Sequence, residues 1–202
     1  MLSVKKKIII HSIFILTLGL FFFSCKSVPA PYQPVLSRKL MDKGLLNENQ
    51  LASYFIKHNP DADYDYIKEF AGIYIKEAET EGINSDLAFA QMCLETGYLK
   101  FGNLVQPEWH NYCGLGAMDA QHPGEKFETV ELGVRAHIQH LQAYGTTEDV
   151  KLKNELVDPR YNWVHKTKLI SDIKGLTNTW AMDPAYADKL ESILREMETT
   201  RP

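Results

Sequence analysis

Glu95 stands near the end of FAQMCLETG, residues 89–97, where Leu87, Ala88, Phe89, Ala90, Met92, Cys93 and Leu94 leave almost no polar face. A helix of that composition belongs in an interior, and glutamate is seldom fully buried without a partner. Two effects would push its carboxyl up. Desolvation by apolar neighbours disfavours the anion, and the partial negative charge at a helix C-terminus does the same. A carboxyl held protonated near neutral pH is what a general acid needs. The plainer alternative is a Glu that pairs with a Lys or Arg, or points into water past the helix end.

A second group lies in PEWHNYCGLGA, residues 107–117. It brings Trp109, Tyr112 and the Asn111 amide beside Gly114 and Gly116. Aromatic faces and amides bind sugars, and the two glycines let a ligand chain approach the backbone closely. The alternative is an aromatic turn packed on the core. His137 and His140 invite a metal reading, but no HExxH frame accompanies them and no Cys/His spacing suits zinc. They read as packing or hydrogen-bonding groups, and no metal is expected. Trp163 and Trp180 read as core or rim. Arg135 either pairs with an acid near a cleft or is a solvated helix charge.

Helices must position these groups. Residues 47–59 start at Asn47 as N-cap and carry Leu51, Tyr54 and Phe55 at helical spacing. Residues 64–82 place Ile67, Phe70, Ala71, Tyr74, Ile75 and Ala78 on one stripe, and Gly82 ends it. Residues 84–97 open on capping residues and stop at Gly97. Residues 131–145 follow Thr129, a possible N-cap, and stop at Gly145. VDPRY and MDPAY set an aspartate before a proline, which suits N-cap and N1, so Asp158 and Asp183 are expected to start helices. The last helix is expected from about Pro184 to Met197. Between residues 98 and 130, NYCGLGAM and EKFETV read as short strands around the turn DAQHPG. The expected fold class is therefore mainly α (α+β): a helical domain with a small β-hairpin flap lining a cleft.

The chain has 202 residues, 45% of them apolar and 24% charged, enough for one domain with a core. Its formal net charge is −4, and the first 24 residues hold three lysines and no acid. What remains is more acidic still, which argues against nucleic acid as a partner. Lys5, Lys6 and Lys7 followed by IIIHSIFILTLGLFFF and FSC read as a secretory signal over 1–24. The apolar run is short of the roughly 20 residues a spanning helix needs. FFSC resembles a bacterial lipobox, which implies cleavage before Cys25 and lipid on its sulfur. Lys26 and Ser27 leave the receiving membrane open. Residues 25–46, rich in proline at their start, read as lipidated cysteine and tether. Residues 47–198 are the expected catalytic domain, acting as a monomer. Cys93 and Cys113 are either a disulfide, as an exported protein allows, or two small buried hydrophobes.

AFAQMCLETGYLKFGN, NYCGLGA, FETVELGVRAHIQHLQAYG and VDPRY together resemble the bacterial glucosaminidase family of peptidoglycan hydrolases, in the lysozyme-like superfamily. The resemblance runs from about residue 47 to 198, with several motifs in the same order. It implies cleavage of the β-1,4 bond between N-acetylglucosamine and N-acetylmuramic acid, with no metal and no organic cofactor. Its substrate would be peptidoglycan glycan strands, reached within the cell envelope by a lipoprotein anchored on the periplasmic or extracellular side of a membrane. Glu95 matches the family's catalytic acid. Asn111, Tyr112 and Gly114 match the strand that lines its cleft, and Phe127 matches the aromatic on the next one. Glycosidases usually use two carboxylates, about 5 Å apart when retaining and about 6.5–9.5 Å when inverting. Asp119, Glu125, Glu128 and Glu131 are candidates for the second. Glu131 falls in a first helical turn, where a negative charge is already explained. Glu125 shares a strand face with Phe127 under a period of two, so it is favoured. Equally, the substrate's own 2-acetamido group can attack the anomeric carbon and make a second carboxylate unnecessary. Two other functions fit the same residues: a muramidase or lytic transglycosylase on the same fold, and a noncatalytic wall-binding lipoprotein.

Overall fold

The structure, a computed structural model, describes residues 34–165 and 169–200. The expected signal segment, the lipidation site Cys25 and the first part of the tether lie outside the described residues.

The helices begin where short polar side chains take over amides that a helix leaves unpaired. In α1, Glu48–His58, Asn47 accepts from the Gln50 amide while the Gln50 side chain accepts from the Asn47 amide. Asp63 caps α2, Tyr64–Glu81, which Gly82 ends at φ 76°. Asn84 caps α3, Ser85–Thr96, through the amides of Asp86 and Leu87, and Gly97 ends it at φ 57°. Thr129 caps α4, Val130–Gly145, through the Leu132 amide. The two Asp-Pro pairs open turns ahead of their helices. Asp158 accepts from the Arg160 amide before the short α5, Tyr161–Val164, and Asp183 accepts from the Ala185 amide before α6, Tyr186–Thr199. Single 3-10 turns lie at Pro107–Trp109 and Ile173–Leu176.

α3 runs through the core. It is apolar all round, so it is stable only with neighbours on every side, and α1, α2, α4 and α6 all pack on it. Leu87, Ala88, Phe89, Ala90, Met92 and Cys93 are fully buried. The Phe89 ring meets those of Phe55, Phe70 and Tyr74 at centroid distances of 6.2, 6.4 and 5.7 Å. Cutting Phe89 back to alanine would cost about 3–5 kcal/mol. At 1.5 Å per residue, α3 is about 18 Å long. It therefore carries the chain from the Asn84 cap across the core and delivers Glu95 to the far side.

Two expectations are corrected. The α+β fold class with its hairpin flap is not observed: the described residues are helical, and between 98 and 130 they form no strand. Asp119 and His122 make an isolated bridge. The two presumed strands meet through one backbone bond, Glu125 N–H to Leu115 O at 2.8 Å, while Phe127 N–H reaches Trp109 O, ahead of the first of them, at 2.9 Å. Those pairs share no register, because an antiparallel step from 125 to 127 would move the partner from 115 to 113. The Asn111 side chain does the joining instead. Its Nδ2 donates to Leu115 O (2.9 Å) and Glu125 O (3.0 Å), and its Oδ1 accepts from Leu115 N (2.8 Å). Gly114, Gly116 and Gly124 at φ 66°, 75° and 117° break any extended run.

The packed domain also begins before residue 47. Leu36, Leu40 and Leu46, within the expected tether, are buried. Asn84 Nδ2 donates to Ser37 O and Lys39 O, and Arg38 pairs with Glu191 and Glu198 of α6 at 2.7 and 2.6 Å. The three leucines follow no helical period because this segment is an extended strap over the end of α3.

Candidate active site

α3 ends at the edge of a cleft of about 440 Å³. Glu95, Thr96 and Gly97 open one wall, which continues through Phe101, Gly102, Asn103, Leu104 and Val105. The chain turns sharply there, with Tyr98, Leu99 and Phe101 in the left-handed region at φ 59°, 57° and 51°. The turn is held by Thr96, whose Oγ1 accepts from the Leu99 amide, and by Asn59, whose Nδ2 donates to Tyr98 O. Asn111, Cys113, Gly114 and Ala117 form the facing wall, and Trp180 and Ala181 close the side.

Among the described residues that line this cleft, Glu95 is the one carboxylate. Burial raises its carboxyl above the ordinary range, while bonds from Tyr186 and Trp180 pull the other way. The Trp180 indole donates from Nε1 to Glu95 Oε1 at 2.9 Å, and the Tyr186 hydroxyl donates to the same oxygen. Tyr186 stays protonated, because burial and the nearby Glu95 charge hold its phenol well above the usual value. With both lone pairs of Oε1 engaged, the acidic proton of Glu95 belongs on Oε2.

Behind Tyr186 a line of hydrogen bonds runs into the core. Gln91 Nε2 donates to Tyr186 Oη (2.8 Å), His137 Nε2 meets Gln91 Oε1 (3.0 Å), and Tyr74 Oη meets His137 Nδ1 (3.0 Å). Burial lowers the pKa of His137 to about 3, so the ring is neutral. An amide oxygen only accepts, so Nε2 carries the ring proton and Tyr74 donates to Nδ1. Every proton in the series is thereby assigned, and Tyr186 is left with its hydroxyl hydrogen directed at Glu95.

The other expected site residues are spread. Asn111 and Gly114 line the cleft, but the Asn111 amide is occupied with the loop backbone. Tyr112 is buried in the core, edge-on to Phe70 at 4.8 Å. Phe127 packs against the small cluster of Cys113, Leu115 and Ala136. Trp109 lies under the Lys126 ammonium, 4.1 Å from its ring centre. Glu125 lies beside Gly116, where an added Cβ would come within 3.2 Å of Glu125 Oε1. Arg135 pairs with Glu77 of α2 at 2.9 Å. His140 bonds Asp158 through Nδ1 at 2.8 Å. Among the described residues, no cluster of three or more His, Cys, Asp or Glu could hold a metal. Cys93 and Cys113 are free, buried thiols. No described helix is long and apolar enough to cross a membrane.

The sequence reading misses Tyr186 and Gln91; it takes His137 as a packing or hydrogen-bonding group and Trp180 as core or rim, without linking either to Glu95. The usable signal is the Asp183-Pro184 pair, which fixes the start of α6 and hence Tyr186, but it does not reveal what that phenol faces.

An uncharacterized protein of Borreliella burgdorferi is 40% identical over 158 residues, covering 78% of this chain and 76% of that protein. No solved structure matches. Residues 71–199 match the glucosaminidase family, described as mannosyl-glycoprotein endo-β-N-acetylglucosaminidase, and they include α3 with Glu95, α4 with His137, and α6 with Tyr186. The match spans well over half of the chain, which belongs to the glucosaminidase family of glycoside hydrolases.

Proposed function

We propose that the chain cleaves the β-1,4 bond between N-acetylglucosamine and N-acetylmuramic acid in peptidoglycan, with Glu95 as general acid and then general base. The observation that carries this reading is the Glu95 carboxyl at the cleft, raised by burial, with Trp180 and Tyr186 donating to Oε1 and no donor to Oε2 among the described residues. The Oε2 proton passes to the glycosidic oxygen as the C1–O bond breaks. The 2-acetamido oxygen of the N-acetylglucosamine closes on C1, giving a cyclic oxazolinium and a free leaving hydroxyl. Glu95, now a carboxylate, takes a proton from water as that water opens the ring, and the acid form is restored. Trp180 and Tyr186 stabilise the intermediate anion. That no second carboxylate stands among the described residues of the cleft lining favours this route over one using Glu125.

Digestion of purified peptidoglycan, borohydride reduction and mass spectrometry test the bond. Reduced N-acetylglucosamine ends are expected. Reduced muramic acid or anhydro ends would transfer the reading to a muramidase or lytic transglycosylase, and binding without soluble products to a wall-binding protein. NMR of the fresh product should show the β anomer retained. Inversion would rule out the acetamido route and bring back Glu125. The lipid anchor at Cys25 is part of the proposal, on the strength of the lysine, apolar and FFSC order. It predicts palmitate labelling that is lost in Cys25→Ala.

A further inference from the structure

Trp180 lines more than one compartment. A second compartment of about 230 Å³ shares Cys113, Gly114, Ala117 and Trp180 with the first, and its outer wall is made by Arg160 and Trp163. Arg160 differs from the other described arginines. Arg38, Arg135 and Arg195 each hold a carboxylate, at 2.7, 2.9 and 2.7 Å. Arg160 has no carboxylate partner among the described residues. Its Cζ lies 5.4 Å from the ring centre of Trp163, and that indole is 63% exposed. Asp158, two residues away, is engaged elsewhere, with Oδ2 on His140 and Oδ1 on the Arg160 amide.

The backbone under Arg160 is firmly set. Gln139 of α4 accepts from the Val157 and Asp158 amides at 2.8 and 3.1 Å and donates to Glu155 O at 2.7 Å. A fixed loop thus presents a guanidinium without a carboxylate partner among the described residues, and an exposed indole, to a compartment that shares a wall with the catalytic cleft. A guanidinium takes a carboxylate through two parallel bonds, and the neighbouring indole covers an apolar or amide surface.

Building on the proposed glycan substrate, we infer that Arg160 and Trp163 form a subsite for the acidic substituent of the glycan. Its ligand is a carboxylate carried beside the sugar: the free lactyl acid, or a carboxylate of the attached peptide. A polymer of N-acetylglucosamine alone offers the subsite nothing to bind.

The test uses the full chain in detergent with Glu95→Gln, so that binding is read without turnover. Three probes are titrated calorimetrically: a peptide-bearing muropeptide oligosaccharide, the same oligosaccharide stripped of peptide, and a neutral N-acetylglucosamine oligomer of equal length. The acidic probes are expected to bind more tightly than the neutral one. Arg160→Ala should cut that preference about ten-fold or more, the scale of one charge-assisted pair. Arg160→Lys should restore part of it. Trp163→Ala, at an exposed position, should weaken acidic-probe binding without lowering the melting temperature. Loss with the stripped probe assigns the lactyl acid, and loss only with the peptide-bearing probe assigns the peptide. Equal binding of acidic and neutral probes, or an Arg160→Ala effect equal on both, would overturn the subsite. A wild type that releases no reducing ends from any glycan overturns the proposed hydrolysis instead, and leaves the binding preference to be read on its own.

Discussion

Replacing Tyr186 with phenylalanine removes one hydroxyl and touches two partners at once. That hydroxyl donates to Glu95 Oε1 and accepts from Gln91 Nε2. A hydrogen bond to a charged group contributes about 1.5–3 kcal/mol. At about 1.4 kcal/mol per pKa unit, its loss should raise the Glu95 pKa by about one to two units. The direction follows from the structure: the Tyr186 bond lowers a pKa that burial has raised. Glu95 must be protonated to act as acid, so activity falls as pH rises through its pKa. The alkaline limb of the kcat/KM profile on soluble glycan should therefore move up by about one to two pH units in Tyr186→Phe, with a lower plateau from the less stable anion. Gln91 is fully buried, and losing an acceptor for its amide should also cost about 1–3 kcal/mol of folding stability. An alkaline limb that stays put or moves down would refute the assignment of Glu95 as the titrating acid held by Tyr186.

Glu95→Gln should lose at least about 10²-fold in turnover while keeping its melting temperature within a few degrees, because the glutamine oxygen still accepts from Tyr186 and Trp180; circular dichroism and reducing-end assays check both. Gly133→Ala should destabilise by about 1–3 kcal/mol, since its Cβ would fall 1.8 Å from His110 O, whereas Gly72→Ala, with nothing within 4 Å, should stabilise by about 0.5–1 kcal/mol; urea melts of the pair make the comparison. His137, with its pKa lowered to about 3, contributes stability that is fully present above its unfolded value near 6.5 and is lost as pH falls below it. Buried Asp86, raised to about 6, acts in the opposite sense over an overlapping range, so the His137 contribution is read as a difference. Relative to His137→Gln, the wild type should lose about 2 kcal/mol between pH 6.5 and pH 5.

What the sequence made legible was local. Asn47, Asn84 and Thr129 cap helices because a cap needs only a short polar side chain and the next three amides. Gly82 and Gly97 end helices because they alone enter the left-handed region without a Cβ cost. The position of Glu95 at a cleft was legible because an acid beside seven apolar residues of one helix has few places to go. The flap was misread because period-two patterning detects alternation and cannot see that a side chain, Asn111, takes the bonds a ladder would have made. The strap over α3 was misread because three buried leucines in an extended segment match no period. Tyr186 was invisible for another reason: it meets Glu95 across 91 residues of sequence.

In the proposed mechanism Glu95 is used twice, and the opposing influences on it are what that use requires. Burial alone would give a strong hold on the proton and a poor anion. Two donors alone would give a stable anion that does not protonate near neutral pH. Here burial acts on the whole carboxyl, while both donors converge on one oxygen. The other oxygen is left to exchange the proton with substrate and water. An acid that first gives and then recovers a proton at the same atom needs both charge states within reach, and the series from Tyr74 to Tyr186 holds the Tyr186 donor in place for each. A second carboxylate in such a cleft would raise the Glu95 pKa further and work against its return to the anion. Glu125, resting beside Gly116 outside the cleft lining, leaves that balance undisturbed.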